Sequence, residues 1–231
     1  MRTIGMLGGM SWESTAEYYR LVNTSVRERL GGVHSARVLI DSLDFADVEV
    51  LQSTGRWPEA GELLAGRAAA LQRAGAEVLL LCTNTMHEVI AAVEQAVDVP
   101  VLHIADVTAA AVRAAGLSRI ALLGTRFTME RPFYRDRLAG HGLEVLVPDE
   151  ADRATVHDVI YDELVRGVVT ETSRAAYRDV IARLVARGAT GIVLGCTEIE
   201  LLVGPADSPV PVFPTTRLHT EAAVDFALAD G

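Results

Sequence analysis

The sequence contains no lysine, although it is 231 residues long and carries 21 basic residues, all of them arginine. A pyridoxal-phosphate enzyme holds its cofactor as a Schiff base to a lysine, so that class of enzyme is excluded. A Walker A phosphate-binding loop also requires its lysine. A contact to an anionic ligand must therefore come from arginine, a hydroxyl or an amide.

Cysteine, positive charge and long apolar runs are also scarce. The two cysteines make no disulfide framework, and no Cys/His spacing suggests structural zinc or another metal site. The net charge of −10 argues against a nucleic-acid or anionic-membrane partner. No apolar run approaches the roughly 18 residues that span a bilayer, and the amino terminus lacks a long apolar signal region. We therefore expect a cytoplasmic protein without a membrane partner.

Strand and helix patterns alternate along the whole chain, which favours parallel sheets covered on both faces. Ser14 or Ser11 could cap the first helix, and Asn84–Ala96 reads as another. The expected strands are Thr3–Leu7, Arg37–Leu43, Val78–Cys82, Val99–Ile104, Arg119–Leu123, Glu144–Val147, Gly191–Leu194 and Val210–Phe213.

An internal repeat indicates two copies of one unit. Ile4–Gly9 resembles Ile120–Thr125, and Leu71–Leu81 matches Leu184–Leu194. We place one lobe at 1–98 plus 209–231 and the other at 99–208. The predicted fold class is α/β, with two pseudo-symmetric lobes, each a parallel sheet flanked by helices, and an active site in the cleft between them.

Polar residues follow two apolar strands, at Cys82–Thr85 and at Cys196–Glu198. Ligands bind at the carboxyl edge of open α/β sheets, so both stretches are candidates for the site. Gly75 aligns with Gly188 in the repeat, and eight residues further on lie Thr83 and Cys196. Because side chains alternate faces along a strand, we expect Thr83 to oppose Cys196 and Cys82 to be an inert core residue.

Three motifs carry a resemblance to a known family. They are IGMLGGMSWEST at Ile4–Thr15, CTNTMH at Cys82–His87 and GCTEIELL at Gly195–Leu202. The chain resembles the aspartate/glutamate racemases of the Asp/Glu/hydantoin racemase superfamily, along essentially its whole length. The resemblance implies two lobes, no cofactor, a homodimer and typically one active cysteine per lobe.

The first family cysteine directly precedes Asn-Thr, and here that position is Thr83. In this the chain looks closest to the racemases specific for L-aspartate and L-glutamate, which share the threonine. Racemisation needs an acid/base group on each side of the α-carbon. We expect Cys196 to serve one side as a thiolate, favoured by a following helix N-terminus. Thr83 would serve the other side slowly, so equal activity on both enantiomers is in doubt.

The substrate, an acidic amino acid, needs polar groups around it. Asn84 and Thr85 follow Thr83, and Thr197 stands at the equivalent place in the second lobe, so these three could donate to the α-carboxylate. Glu198 could bind the α-ammonium group. The resemblance adds Met10 and Gln52 as ligand contacts, while Arg56 and Arg166 are candidates for the distal carboxylate. We expect no direct role for His87.

Two other functions remain open at this point. The same fold with a single active cysteine could decarboxylate or isomerise small dicarboxylic acids. Alternatively, the threonine could mark lost chemistry, leaving a non-catalytic protein that binds acidic amino acids. Exchange of the α-proton with solvent would separate the racemase from both.

Overall fold

Within residues 1–229, eight strands form two separate four-stranded sheets in which every neighbouring pair is parallel. The first sheet has the order β2-β1-β3-β4 and the second the order β6-β5-β7-β8. The computed structural model describes residues 1–229. The strands are β1 (Ile4–Gly8), β2 (Val38–Ser42), β3 (Val78–Leu81), β4 (Val101–Leu102), β5 (Arg119–Gly124), β6 (Glu144–Leu146), β7 (Ile192–Gly195) and β8 (Val212–Pro214).

Helices separate the strands, as parallel pairing requires. They are α1 (Trp12–Leu30), α2 (Phe45–Ser53), α3 (Trp57–Arg73), α4 (Ile90–Gln95), α5 (Ile104–Ala114), α6 (Arg126–Glu130), α7 (Pro132–Gly140), α8 (Glu150–Asp162), α9 (Glu171–Ala186), α10 (Ile199–Leu202) and α11 (Thr215–Leu228). Short 3₁₀ helices lie at Thr85–Val89, Leu164–Arg166 and Pro205–Asp207. Within residues 1–229, no helix is both long and apolar enough to cross a membrane.

The chain divides into two compact units, one of Met1–Ile104 with the carboxyl-terminal segment from His219, the other of Ala105–Leu218. These boundaries lie later than the predicted 98/99 and 208/209. Strand pairing explains the difference: β4 pairs with β3 and so belongs to the first sheet, whereas β8 pairs with β7 and belongs to the second. The repeat located the two units, but it could not show which neighbour each edge strand would join.

The first unit has an apolar layer on each face of its sheet. Leu7, Leu79 and Leu81 pack with residues of α2, α3 and α4 on one face. Met6 and Leu80 pack on the other, with residues of α1 and with Ala223, Val224 and Ala227 of α11. Residues that alternate along β1 and β3 therefore enter opposite layers, as the pleat of a strand dictates.

The second unit repeats this arrangement. Alternate residues of β5 and β7, among them Leu123, Ile192 and Leu194, enter a cluster with residues of α8, α9 and α10. Ile120, Leu122 and Val193, at the positions between, are fully buried as well. Both faces of the sheet are thus covered, which agrees with the near-continuous apolar strands of the sequence.

Helix α1 begins as the sequence suggested. Ser11 is its N-cap and accepts a hydrogen bond from the Ser14 backbone N–H at 3.3 Å, while Ser14 lies inside the helix. The predicted helix Asn84–Ala96 is interrupted, because residues Thr85–Val89 form a 3₁₀ helix before α4 starts. In this 3₁₀ helix the His87 imidazole bonds the Thr83 carbonyl at 2.9 Å, and the His87 backbone N–H bonds Asn84 O at 3.2 Å.

Gly9 lies between β1 and α1 with φ 82°, and a Cβ there would meet the Leu43 carbonyl oxygen at 2.0 Å. We expect Gly9→Ala to lower the free energy of unfolding by about 3 kcal/mol, because it combines a left-handed backbone with a steric clash. Gly167→Ala is the matched control, since Gly167 is left-handed with φ 72° and has open space around it; it should cost about 1 kcal/mol. Urea unfolding measures both, and equal losses would contradict this account.

Candidate active site

The carboxyl end of β3 presents three buried polar residues, Thr83, Asn84 and Thr85, each at most 7% exposed. The ladder of β3 ends at Leu81, so the backbone beyond it needs other partners. The Ser14 hydroxyl donates to the Cys82 carbonyl at 2.9 Å, and the His87 ring binds the Thr83 carbonyl. These contacts fix the segment from both sides, so it leaves the sheet in a defined conformation.

Cys82 lies in the apolar layer with Met6 and Leu80, and it is fully buried. Burial raises the pKa of its thiol far above the ordinary value. A thiol in this environment is a small apolar side chain, as the sequence analysis expected for Cys82.

Met10 and Gln52 belong to the same unit as Thr83. Met10 is buried in the apolar layer that also contains Met86. Gln52 of α2 is 4% exposed, and its Nε2 donates to the Met86 sulfur at 2.8 Å. Its Oε1 is buried and has no hydrogen-bond partner within residues 1–229. Because Met86 directly follows Thr85, this contact places Gln52 against the segment that carries Thr83.

The second strand end carries Cys196, Thr197 and Glu198, all at most 8% exposed. The Cys196 thiol donates to Glu198 Oε2 at 2.9 Å, and the Thr197 hydroxyl donates to the same oxygen at 2.6 Å. The Glu198 carboxylate thus accepts hydrogen bonds from both neighbouring side chains. Sequence reasoning had assigned Glu198 to the substrate ammonium and missed its contact with Cys196, although the spacing of two residues could have suggested it.

The environment of Cys196 does not favour a thiolate, and the expectation of a lowered pKa is wrong for this structure. Burial first, then the negative charge of Glu198, raise the pKa of Cys196 well above the ordinary thiol value. A backbone hydrogen bond from Glu198 acts in the opposite direction and is outweighed. The following helix α10 has only four residues, so its dipole is weak. The resting thiol is therefore protonated.

The two arginines proposed for a distal carboxylate differ. Arg56 is exposed and forms an ion pair with Glu59, so its charge is already compensated. Arg166 is exposed, and within residues 1–229 it forms no ion pair. It ends the 3₁₀ helix Leu164–Arg166, and Leu164 packs in the same apolar cluster as Cys196. Of the two, Arg166 is the better candidate.

No group of three or more His, Cys, Asp or Glu side chains that could hold a metal ion occurs among the described residues. Asp44, one of the acidic residues before α2, accepts a hydrogen bond from the Ala46 N–H at 3.0 Å and caps that helix. The polar side chains at the two strand ends, Thr83–Thr85 and Cys196–Glu198, comprise three hydroxyls, one amide, one thiol and one carboxylate. Such groups bind small polar molecules and move protons.

Two parallel-sheet units of one design, each with polar residues at a central strand end, define a two-unit α/β fold. The family model for Asp/Glu/hydantoin racemases matches residues 7–223. The chain belongs to this family.

Solved structures agree with this assignment. A candidate Asp/Glu racemase from Yersinia pestis superposes with a TM-score of 0.93 at 52% identity, over 99% of this chain and 100% of that one. An aspartate racemase homologue from Pyrococcus horikoshii gives 0.87 at 32% identity, over 98% and 99%. By sequence, the chain is also similar to the broad-specificity amino-acid racemase RacX of Bacillus subtilis, with 23% identity over 70% of each chain. These similarities support an isomerase of the racemase type.

The Cys196–Glu198 contact predicts how the thiol reacts. Glu198→Gln removes the negative charge beside Cys196, so the pKa of the thiol should fall and the thiolate fraction at neutral pH should rise. In a Cys82→Ala background, where Cys196 is the remaining cysteine, we expect alkylation by iodoacetamide to quicken about tenfold for each unit by which the pKa falls. The pH dependence of the alkylation rate measures this.

The control is the Cys82→Ala protein with Glu198 intact, which should react slowly at pH 7. An alkylation rate that is unchanged or lower in the Glu198→Gln variant would show that the carboxylate does not hold the proton on Cys196.

Proposed function

We propose that this protein racemises acidic amino acids, aspartate or glutamate, by proton transfer at the α-carbon without a cofactor. Cys196 and Thr83 are the two proton-transferring groups. The observation that carries the proposal is the buried hydrogen bond from the Cys196 thiol to Glu198, 2.9 Å long. It joins a protonated acid to a carboxylate in a segment with the family motif Gly195–Leu202.

The Cys196–Glu198 pair can act in both directions. As an acid, the thiol transfers its proton to a substrate carbanion and becomes a thiolate. As a base, the thiolate takes the α-proton and becomes a thiol again. Glu198 can receive the thiol proton to generate the thiolate, because its Oε2 is within hydrogen-bond distance of Sγ. Burial keeps water away from both groups, which strengthens their mutual interaction.

Thr83 supplies a hydroxyl on the other side of the reaction. A hydroxyl is a far weaker acid than a thiol, so proton transfer through Thr83 is the slower step. In one direction of racemisation Thr83 removes the α-proton and Cys196 returns a proton, and in the other direction the two groups exchange these steps. This asymmetry supports unequal rates for the two enantiomers, and it is the chemical basis for an enzyme that prefers one of them.

The other groups of the site bind the substrate. Asn84, Thr85 and Thr197 are donors suited to the α-carboxylate. Gln52 Oε1, buried without a partner among residues 1–229, is an acceptor suited to the α-ammonium, as is the Glu198 carboxylate. Met10 supplies an apolar wall, and Arg166 supplies the positive charge for the distal carboxylate. An acidic amino acid offers a complement to each of these groups.

Incubation in D₂O with L- and D-aspartate and L- and D-glutamate tests the proposal. We expect deuterium at the α-carbon of at least one of them. Cys196→Ala should reduce this exchange by about 10²- to 10⁴-fold, the range typical of general acid–base groups. Cys82→Ala is the matched control and should retain most of the exchange, because Cys82 is confined to the core.

Other outcomes would identify a different function. Turnover of a dicarboxylic acid that lacks an amino group, with no α-deuteration of amino acids, would indicate a decarboxylase or isomerase. Thermal stabilisation by L-glutamate without exchange, even at high protein concentration, would indicate a binding protein. Either result would end the racemase proposal.

Thr83→Cys places a thiol where most of the family has one. Because a free cysteine titrates near 8.5 and an alcohol far higher, we expect interconversion of the two enantiomers to accelerate by about 10²-fold. Thr83→Ala should nearly abolish it. Circular dichroism of L- and D-glutamate solutions follows the interconversion directly. A Thr83→Ala protein that racemises as fast as the wild type would exclude Thr83 from proton transfer.

A further inference from the structure

Behind the Thr83 segment, the first unit contains a cluster of buried polar rings, which we call the imidazole cluster. It consists of His87, His103, His219 and Tyr18, each at most 6% exposed. The rings of His87 and His103 are 4.7 Å apart, those of His87 and His219 6.0 Å, and those of Tyr18 and His219 5.7 Å. Burying a polar ring is unfavourable unless it is hydrogen-bonded, so the hydrogen-bond partners of these rings show which parts of the backbone they support.

The hydrogen bonds of His87 define its tautomer. The backbone N–H of Ile104 donates to Nε2 at 3.3 Å, so Nε2 carries no proton. Nδ1 is therefore the protonated nitrogen, and it donates to the Thr83 carbonyl at 2.9 Å. One ring thus joins the end of β3 to the first residue of α5.

His219 has the opposite tautomer. Its Nε2 donates to the Leu102 carbonyl at 2.8 Å, and its Nδ1 accepts from the Tyr18 hydroxyl at 2.9 Å. Burial, with a smaller contribution from the nearby His103, lowers the pKa of His219 to about 4. Burial also lowers the pKa of His87 well below its ordinary value, with contributions from His103 and His219. Both rings are neutral at physiological pH, and a neutral imidazole can donate and accept at once.

The Thr83 carbonyl needs the His87 ring for a structural reason. The last ladder pair of β3 is Leu7 with Leu81, and in a regular helix the carbonyl would bond the His87 backbone N–H. That N–H bonds Asn84 O instead. The ring therefore restrains the Thr83 carbonyl, and with it the backbone from which the hydroxyl projects.

We propose that His87 is a positioning residue for Thr83: by donating to the Thr83 carbonyl while accepting from Ile104 N–H, it aims the Thr83 hydroxyl at the reacting carbon. This inference rests on the proposed function, in which Thr83 transfers a proton. It predicts that His87 affects the proton transfer by Thr83 and does not affect the proton transfer by Cys196.

His87→Asn and His87→Gln form a matched pair that separates the two ring nitrogens. The Asn amide nitrogen can occupy the place of Nδ1 and donate to the Thr83 carbonyl. The Gln amide reaches the place of Nε2 and leaves that carbonyl without its donor. Racemisation requires both proton transfers, whereas exchange without inversion reports the transfer at Cys196. The enantiomer that still exchanges in Thr83→Ala identifies the side on which Cys196 acts.

For that enantiomer, the test compares the rates of racemisation and of α-deuteration in D₂O between the wild type and the His87 variants. We expect His87→Gln to lower kcat for racemisation by about 10²-fold, the loss that a misplacement of about 1 Å can cause. Its exchange without inversion and its KM should stay close to those of the wild type. His87→Asn should retain racemisation within about threefold of the wild type, because it restores the bond that the inference names.

His219→Gln is the control for a structural effect. His219 belongs to the imidazole cluster and is fully buried, but its ring bonds Tyr18 and Leu102 and not the Thr83 segment. This variant should lower Tm without changing the ratio of racemisation to exchange. An unchanged ratio in His87→Gln, or the same change in His219→Gln, would overturn the inference.

The remaining outcomes are also decisive. If His87→Gln does not fold, a folded His87→Asn protein that has lost racemisation while keeping exchange would overturn the inference, and one that racemises would support it. A wild-type protein that exchanges no acidic amino acid overturns the proposed function together with this inference. Exchange in the wild type with unaffected His87 variants overturns only the inference.

Discussion

The central constraint of this protein is that a buried parallel sheet must end, and the backbone groups beyond its last ladder pair must still find partners. At β1 the Gly8 carbonyl accepts from the Leu43 N–H at 3.1 Å, and after β3 the Cys82 carbonyl accepts from Ser14. In the second unit the Thr215 hydroxyl donates to the Leu194 carbonyl at 2.8 Å. Polar side chains therefore collect where the strands end, and chemistry becomes possible there because structure requires polar groups there.

The same need for hydrogen-bond partners applies to the buried Glu198 carboxylate in the second unit. A carboxylate as buried as Glu198 is unfavourable unless donors surround it. The Cys196 thiol and the Thr197 hydroxyl both donate to its Oε2 and supply part of that need. The result for the thiol is the reverse of common activation, since burial and then the negative charge of Glu198 keep the proton on sulfur. An enzyme that must both give and take a proton can use such a pair, because the acid form is already present in the resting state.

Much of the fold could be predicted from the sequence, because apolar strands and alternating helices leave few arrangements for a chain of this kind. The two sheets and the return of α11 to the first unit follow from local patterns and from the repeat, while the sequence left the cap of α1 open between Ser14 and Ser11. The partner of each edge strand could not be predicted, since β4 and β8 are two and three residues long and carry little pattern.

The candidate site was predictable in its residue types and less so in its electrostatics. The motifs located both strand ends, but the rise in the pKa of Cys196 depends on how deeply the thiol is buried and on where the Glu198 carboxylate turns. The hydrogen bond from the His87 ring to the Thr83 carbonyl could not be predicted for a similar reason. In the sequence His87 is one residue of a helical pattern, and only the competition between its ring and its own N–H for the Thr83 carbonyl shows the 3₁₀ turn.

In the proposed mechanism a hydroxyl at Thr83 does the work that a thiol could do, and this changes what the surrounding structure must provide. A thiolate tolerates some misplacement, because it is a reactive base in its own right. A hydroxyl has no such reserve, so its contribution depends on alignment with the reacting carbon. Ser14, the 3₁₀ turn and the buried imidazole of His87 all restrain the backbone at this one position. Rigid support of the segment and a weakly acidic side chain are therefore two parts of the same design, and the second would be of little use without the first.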